Sequence, residues 1–320
     1  MIITRTPFRV SFVGGGTDIA DYYIANTGAV VSVAIDKFMY IIVNKRYDAT
    51  IRISYTKTEI VNNVDEIEHP LVREELKLVG IDSGIEIVSI ADIPAGTGLG
   101  SSSSFAVGLL NALYAYKGIK VDAEELAQQA CRLEIDILGE PIGKQDQYIA
   151  AYGGFRYIQF NPDHTVLVEP LYYSRADELS KSLLLFRING VRSGREILCE
   201  QKANIKNRLA EMRQMYLLAR YLREELRKDI YTGRIGRYLH DNWELKKSLA
   251  SGISTKLVDG YYDKARTAGA VGGKICGEGG NGYLLLYCPF ERQDAVKAAL
   301  GLPCTEVMFE PEGSKVIHVC

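Results

Sequence analysis

Residues Pro94-Ala95-Gly96-Thr97-Gly98-Leu99-Gly100-Ser101-Ser102-Ser103-Ser104 form a glycine and serine run. It leads into an apolar stripe, Phe105, Leu109, Leu113 and Tyr116, at helical spacing. A helix that starts inside the serines leaves its first amides without intrahelical acceptors, at the positive end of its dipole. Such an end receives phosphate, and the glycines let backbone approach it closely. Serine hydroxyls can add hydrogen bonds or a magnesium ligand. No Walker A lysine follows the run. A serine-capped turn uses the same residue types, and the length of the run is what argues for a ligand.

Two carboxylates come next. Glu134 lies on a helix expected to open at Asp122, with Glu125 completing a capping box, and to close at Gly139. Asp146 follows twelve positions after Glu134, in the loop PIGKQDQ. Carboxylates on either side of one loop suit a division of labour, in which one holds Mg²⁺ and the other orients or deprotonates an attacking hydroxyl. Taken singly, each is an ordinary surface charge. Lys144 sits where it could keep Asp146 ionised, or it could simply be solvated.

Two further glycine clusters flank these groups. Gly277 to Gly282 satisfies G-x-G-x-x-G, but the strand-like YLLLY follows instead of a helix, which excludes a dinucleotide fingerprint. Val13-Gly14-Gly15-Gly16-Thr17-Asp18 fails the same pattern because Ile19 stands where glycine or alanine is required. It closes a strand, as a ligand-facing loop does.

The elements that must position these groups divide along the chain. Residues 2–13, 29–45, 50–55 and 85–90 alternate or are β-branched and read as strands, and 153–170 reads as a hairpin. After a strand at SLLLFRI, residues 195–228 carry one or two long charged helices. The last third predicts a helix from Ser254 to about Ala268, strands around the third glycine cluster, a helix near 291–300, and strands near 305–309 and 315–319. This order suggests a ferredoxin-like α/β sandwich as a second domain, with units at 1–170 and 171–320.

At 320 residues and 47% apolar content, two cores can be buried. Thirty-eight basic against 40 acidic residues leave no electrostatic footprint for nucleic acid, so a small molecule is the expected partner. The six cysteines show no C-x-x-C pair, which argues for reduced thiols and against zinc. The first residues lack the pattern of a secretory signal, and no apolar run reaches the ~18 residues of a membrane span. A cytoplasmic protein without membrane partners, monomeric or homodimeric, is expected.

The three glycine segments, in this order and at these intervals, resemble the motif set of the GHMP kinases. The stretch LEIDILGEPIGKQDQYIAAYGG is similar to that family's Glu-to-Asp-Gln segment. The resemblance spans nearly the whole chain. It implies an α+β fold of two domains: an N-terminal α/β domain with a left-handed crossover, and a ferredoxin-like C-terminal domain. The site would lie between them. It further implies ATP and Mg²⁺ as cofactors. Pro94, Gly96, Gly98, Leu99, Gly100, Ser101, Ser102 and Ser103 would bind ATP, Ser102 and Glu134 the metal, and Asp146 would be catalytic with Arg9 paired to it. Asp18 falls where sugar kinases of the family hold a substrate hydroxyl, beside the small Gly15 and Gly16.

Two departures stand out: Gly15 and Gly16 replace the acidic residue and histidine of galactose-specific members, and Glu278 and Asn281 occupy usually small positions. MIITRTPFRVSFVGGGTD, VNKRYD and SYTKTEIVNNVDEIEHPLVREEL resemble the bacterial subfamily acting on a heptose 7-phosphate. That implies a sugar phosphate acceptor, phosphorylated at its anomeric hydroxyl, with Lys57, Arg192 and Arg195 as candidates for its phosphate. An unphosphorylated sugar such as fucose is the alternative acceptor. A non-catalytic binding protein of the same fold would be expected to have lost a carboxylate or the serine run, and all are present.

Overall fold

The computed structural model describes residues 1–188, 194–229 and 233–320. The first sheet is built on two long strands, β1 (Ile2–Val13) and β2 (Gly28–Lys45), paired antiparallel along their length. β3 (Ile51–Ser54), β4 (Thr58–Val61) and β5 (Ile85–Ala91) extend it beyond one half of β2. β3 and β5 run parallel. The hairpin of β6 (Phe155–Phe160) and β7 (Val166–Pro170) pairs with the other half of β2.

Helices α1 (Ala20–Asn26), α2 (Pro70–Val79), α3 (Ser101–Tyr116), α4 (Ala123–Cys131) and α5 (Gln145–Tyr152) connect these strands. From Thr6 to Val13 every residue of β1 is buried. Continuous burial of a strand requires cover on both faces. α3 and α5 pack on β1 and β2, and α8 (Leu209–Arg227) and α9 (Ile235–Lys247) also reach β1 from later in the chain.

The second sheet contains β8 (Leu183–Ile188), β9 (Gly272–Ile275), β10 (Gly282–Tyr287) and β11 (Cys304–Thr305). Its order is β11-β8-β10-β9 with antiparallel neighbours, the ferredoxin-like arrangement expected. α6 (Ala176–Lys181), α7 (Gly194–Asn204), α10 (Lys256–Ala268) and α11 (Gln293–Leu300) complete this half.

A single cut at 170/171 is corrected by the chain's end. β12 (Lys315–Val319) returns to pair with β1 in the first sheet. The side of β1 away from β2 would otherwise present unpaired backbone groups, and β12 covers it. Phe309, expected in a strand of the second sheet, instead bridges Ile35 in the first. Among the described residues no helix is long and apolar enough to cross a membrane.

Candidate functional site

The glycine and serine run places its helix as the sequence predicts, with α3 opening at Ser101. Gly100 caps it at φ +80°, a left-handed conformation that disfavours other residues. Gly98 has φ +78°, and a Cβ there would meet the carbonyl oxygen of Cys276 at 2.3 Å. The turn between β9 and β10 therefore lies directly on the α3 loop, and Glu278 and Asn281 do not hold it off. Ser101, Ser102 and Ser103 line a cleft of about 280 Å³ together with Gly96, Gly98 and Gly100. Pro94 and Leu99 do not line it. Pro94 accepts a hydrogen bond from Thr97 Oγ1 at 3.0 Å, and the fully buried Leu99 accepts one from the Arg9 amide at 3.0 Å.

Asp146, expected in a loop, stands in the first turn of α5. Arg9 reaches it from the buried stretch of β1 by a two-pronged contact. Nε donates to Oδ1 at 2.7 Å and Nη2 to Oδ2 at 2.5 Å, while Nη1 donates to the Gly98 carbonyl at 2.6 Å. Burial opposes the guanidinium charge, but the carboxylate more than offsets it and holds the Arg9 pKa above its usual value. A Cβ on Gly100 would lie 3.4 Å from Asp146 Oδ2, so the pair stands against the amino end of α3.

Glu134 is buried in a widened π-helical segment, Arg132–Ile137, that continues α4. Such insertions re-aim side chains and recur at functional sites. Its Oε1 accepts from Ser102 Oγ at 2.7 Å, and its Oε2 accepts from Ser103 Oγ at 2.8 Å and Gln147 Nε2 at 2.6 Å. Burial raises its pKa, and these three donors act in the opposite direction. Ser102 Oγ and Glu134 Oε1 present adjacent hard oxygens to the cleft, a partial set that fits Mg²⁺ completed by phosphate oxygens and water. Among the described residues no cluster of three or more His, Cys, Asp or Glu forms a complete metal cage.

On the opposite side, Asp18 joins the first glycine loop to the start of α5. Its Oδ1 accepts from the Gly16 amide at 2.7 Å and its Oδ2 from the Gln145 amide at 3.1 Å. Burial raises its pKa, with those amides partly compensating. Gly15 and Gly16 also line the cleft.

The proposed phosphate cations separate. Arg195 lines the cleft from the first turn of α7 and pairs with Glu140 at 2.8 Å. Lys57 does not: it sits exposed between β3 and β4, paired with Glu68. Short exposed hairpins solvate their lysines, and local sequence similarity carries no information on where such a side chain ends. Arg192 lies outside the described residues.

Two buried lysines in the cleft escaped sequence reasoning. Lys246 donates to the Gly277 carbonyl at 2.5 Å, and Lys274 donates to the Ser11 carbonyl at 2.9 Å. Burial, with the nearby Lys246 charge, pushes the Lys274 pKa down to about 7. Their signals were present: Lys274 interrupts an apolar strand, and Lys246 continues the α9 face of Leu239, Asn242 and Trp243. Gln147 was in view, but a neutral amide carries no chemical signal of its own.

The family model described as the GHMP kinases N terminal domain matches residues 53–154. A D-glycero-alpha-D-manno-heptose 7-phosphate kinase of Campylobacter jejuni is 27% identical, over 93% of this chain and 92% of its own. A mevalonate kinase of Thermococcus sibiricus is 30% identical, over 72% of this chain and 70% of its own. The solved D-glycero-D-manno-heptose 1-phosphate kinase of Bacteroides thetaiotaomicron superposes over 100% of both chains with a TM-score of 0.81 at 24% identity, which speaks to the fold.

Proposed function

The chain belongs to the GHMP kinase family, and from that premise we propose that it is a sugar 1-kinase. Its reaction would move the γ-phosphate of Mg·ATP to the anomeric hydroxyl of D-glycero-D-manno-heptose 7-phosphate. The observation that carries this reading is the Arg9–Asp146 pair set against the amino end of α3. A polyphosphate on the amides of Ser101, Ser102 and Ser103 has a carboxylate beside it, where an acceptor hydroxyl can dock.

Phosphoryl transfer passes through a loose transition state, so positioning and charge stabilisation outweigh strong base catalysis. Both Asp146 oxygens already accept from Arg9, which fixes the carboxylate in place and leaves lone pairs to orient the hydroxyl. The carboxylate takes the hydroxyl proton as the new O–P bond forms and the bond to the β,γ-bridging oxygen breaks. Arg9 is a positioning residue in this scheme. Ser102 and Glu134 would hold Mg²⁺, which when bound would supply charge neutralisation at the phosphoryl oxygens. Lys246 and Lys274 bring further positive charge to the same cleft.

The acceptor assignment is supported by the Campylobacter relative, whose similarity runs through nearly the whole of both chains. A second reading, an unphosphorylated sugar such as fucose, is favoured by one observation. Of the two described cations expected to meet a sugar phosphate, only Arg195 lines the cleft.

An ATP-consumption screen against phosphorylated and unphosphorylated sugars tests the assignment. Consumption with the heptose 7-phosphate, and strong loss when its phosphate is removed, is the expected result. Equal use of free hexoses would reject the 7-phosphate acceptor while leaving a sugar kinase.

A further inference from the structure

The space left by the missing side chains of Gly15 and Gly16 is filled by two carboxamides. A Cβ on Gly15 would meet Gln145 Nε2 at 3.3 Å and Ser11 Oγ at 3.5 Å, and one on Gly16 would meet Gln201 Nε2 at 2.6 Å. All three side chains line the cleft beside Asp18. Ser11 Oγ, Gln145 Oε1 and Gln201 Oε1 are buried and have no hydrogen-bond partner among the described residues.

Ser11 and Gln201 are 5% and 2% exposed, so bulk water does not satisfy them. One such orphan is expensive, and three around one glycine pair is a concentration that a folded chain retains when a ligand completes it. They come from three elements, β1, α5 and α7. The last of these belongs to the second half of the molecule, so a ligand bonded to all three ties the halves together.

The unmet groups also select the ligand. Two carboxamides and a hydroxyl beside the Asp18 carboxylate offer both acceptors and donors, which suits a ligand whose groups donate and accept alike. Adjacent sugar hydroxyls supply that, and each can also accept from a carboxamide N–H.

We propose that Ser11, Gln145 and Gln201 are specificity residues that read the hydroxyls of a polyhydroxylated acceptor. The proposal rests on the sugar-kinase reading and adds residues to it.

Its test is steady-state kinetics of Gln145→Leu, Gln201→Leu and Ser11→Ala with heptose 7-phosphate. A neutral hydrogen bond contributes about 1 kcal/mol, near fivefold, and a carboxamide lost from a buried polar site costs more. The acceptor KM should therefore rise about tenfold for each leucine variant and about threefold for Ser11→Ala. Changes in kcat should stay within about threefold, and the KM for ATP should not change. A merely structural role would move kcat and the ATP KM as well.

Monodeoxy heptose 7-phosphates provide the same test on the unaltered enzyme: at least two positions should lose about tenfold in kcat/KM. Folded leucine variants with unchanged acceptor KM, or deoxy sugars used as well as the parent, would overturn the proposal. If the enzyme uses a free hexose instead, the 7-phosphate assignment fails alone, and a tenfold KM rise for that hexose in the leucine variants upholds the inference. Use of mevalonate with no sugar turned over would sink both.

Discussion

The two walls of the cleft are finished to different degrees. At the transfer wall both Asp146 oxygens and both Glu134 oxygens already accept hydrogen bonds from the protein. At the wall proposed to meet the acceptor, three buried oxygens accept none from the described residues. Transfer gains from donors and charges fixed before the reaction, since groups already oriented cost no reorganisation at the transition state. Recognition gains from groups that only the right ligand satisfies, because a wrong ligand then leaves them unpaired. One cleft can thus keep its transfer chemistry while its acceptor changes.

The largest expected effect separates the walls by removing the charge of the transfer wall alone. Asp146→Asn should lower kcat by roughly 10²-fold or more while both KM values stay near those of the parent. Near-normal turnover in a folded variant would remove this carboxylate from the chemistry.

Gly98→Ala attacks the packing behind the transfer wall. The new Cβ would meet the Cys276 carbonyl at 2.3 Å from a backbone with φ +78°, a clash expected to cost about 2 kcal/mol of stability in urea unfolding. An unchanged midpoint would show that the two glycine loops do not depend on this contact.

If Ser102 and Glu134 hold magnesium as proposed, the pair should respond to both substitution and pH. Glu134→Gln should raise the magnesium requirement about tenfold, in line with loss of one ligand. Because burial raises the Glu134 pKa, acid should protonate this proposed ligand at a higher pH than a free glutamate. An unchanged magnesium titration in the variant would reassign the ligand.

Lys274 gives a graded effect with a defined sign. Its pKa is depressed to about 7 in the free protein, and a bound polyphosphate favours its ammonium form. Binding of ATP therefore takes up a proton above pH 7, and affinity falls by up to about tenfold per unit as pH rises. Titration calorimetry in buffers of different ionisation enthalpy reads that proton directly. Lys274→Met should abolish the uptake.

The smallest effect marks where the acceptor wall ends: Lys57→Ala should leave every kinetic constant within about twofold, as for an exposed ion pair.

The transfer wall was the more legible in the sequence for a physical reason. A phosphate site made from a helix terminus must be contiguous, so the site proposed at Gly96 to Ser103 stands in the sequence as a string. Glu134 and Asp146 bracket one connection and remain close in sequence. The strands also emerged by alternation and β-branching, and β1, β2 and β5 lie close to where those patterns put them. The acceptor wall is assembled from β1, α5 and α7 by tertiary packing, and serine and glutamine are unremarkable residues in any of them. Helix α9 was missed because its polar residues obscure a stripe that becomes apolar only against the sheet. The return of β12 to β1 is set by an edge that needs covering, which no local pattern encodes.

The central claim is that the two walls together deliver phosphate to the anomeric oxygen of a sugar 7-phosphate. Incubation with heptose 7-phosphate and Mg·ATP, followed by ³¹P spectroscopy, tests it most directly. The account predicts a second phosphate resonance coupled to the anomeric proton, with the 7-phosphate signal retained. A product phosphorylated at any other carbon, or ATP consumed with no phosphorylated sugar formed, would contradict it.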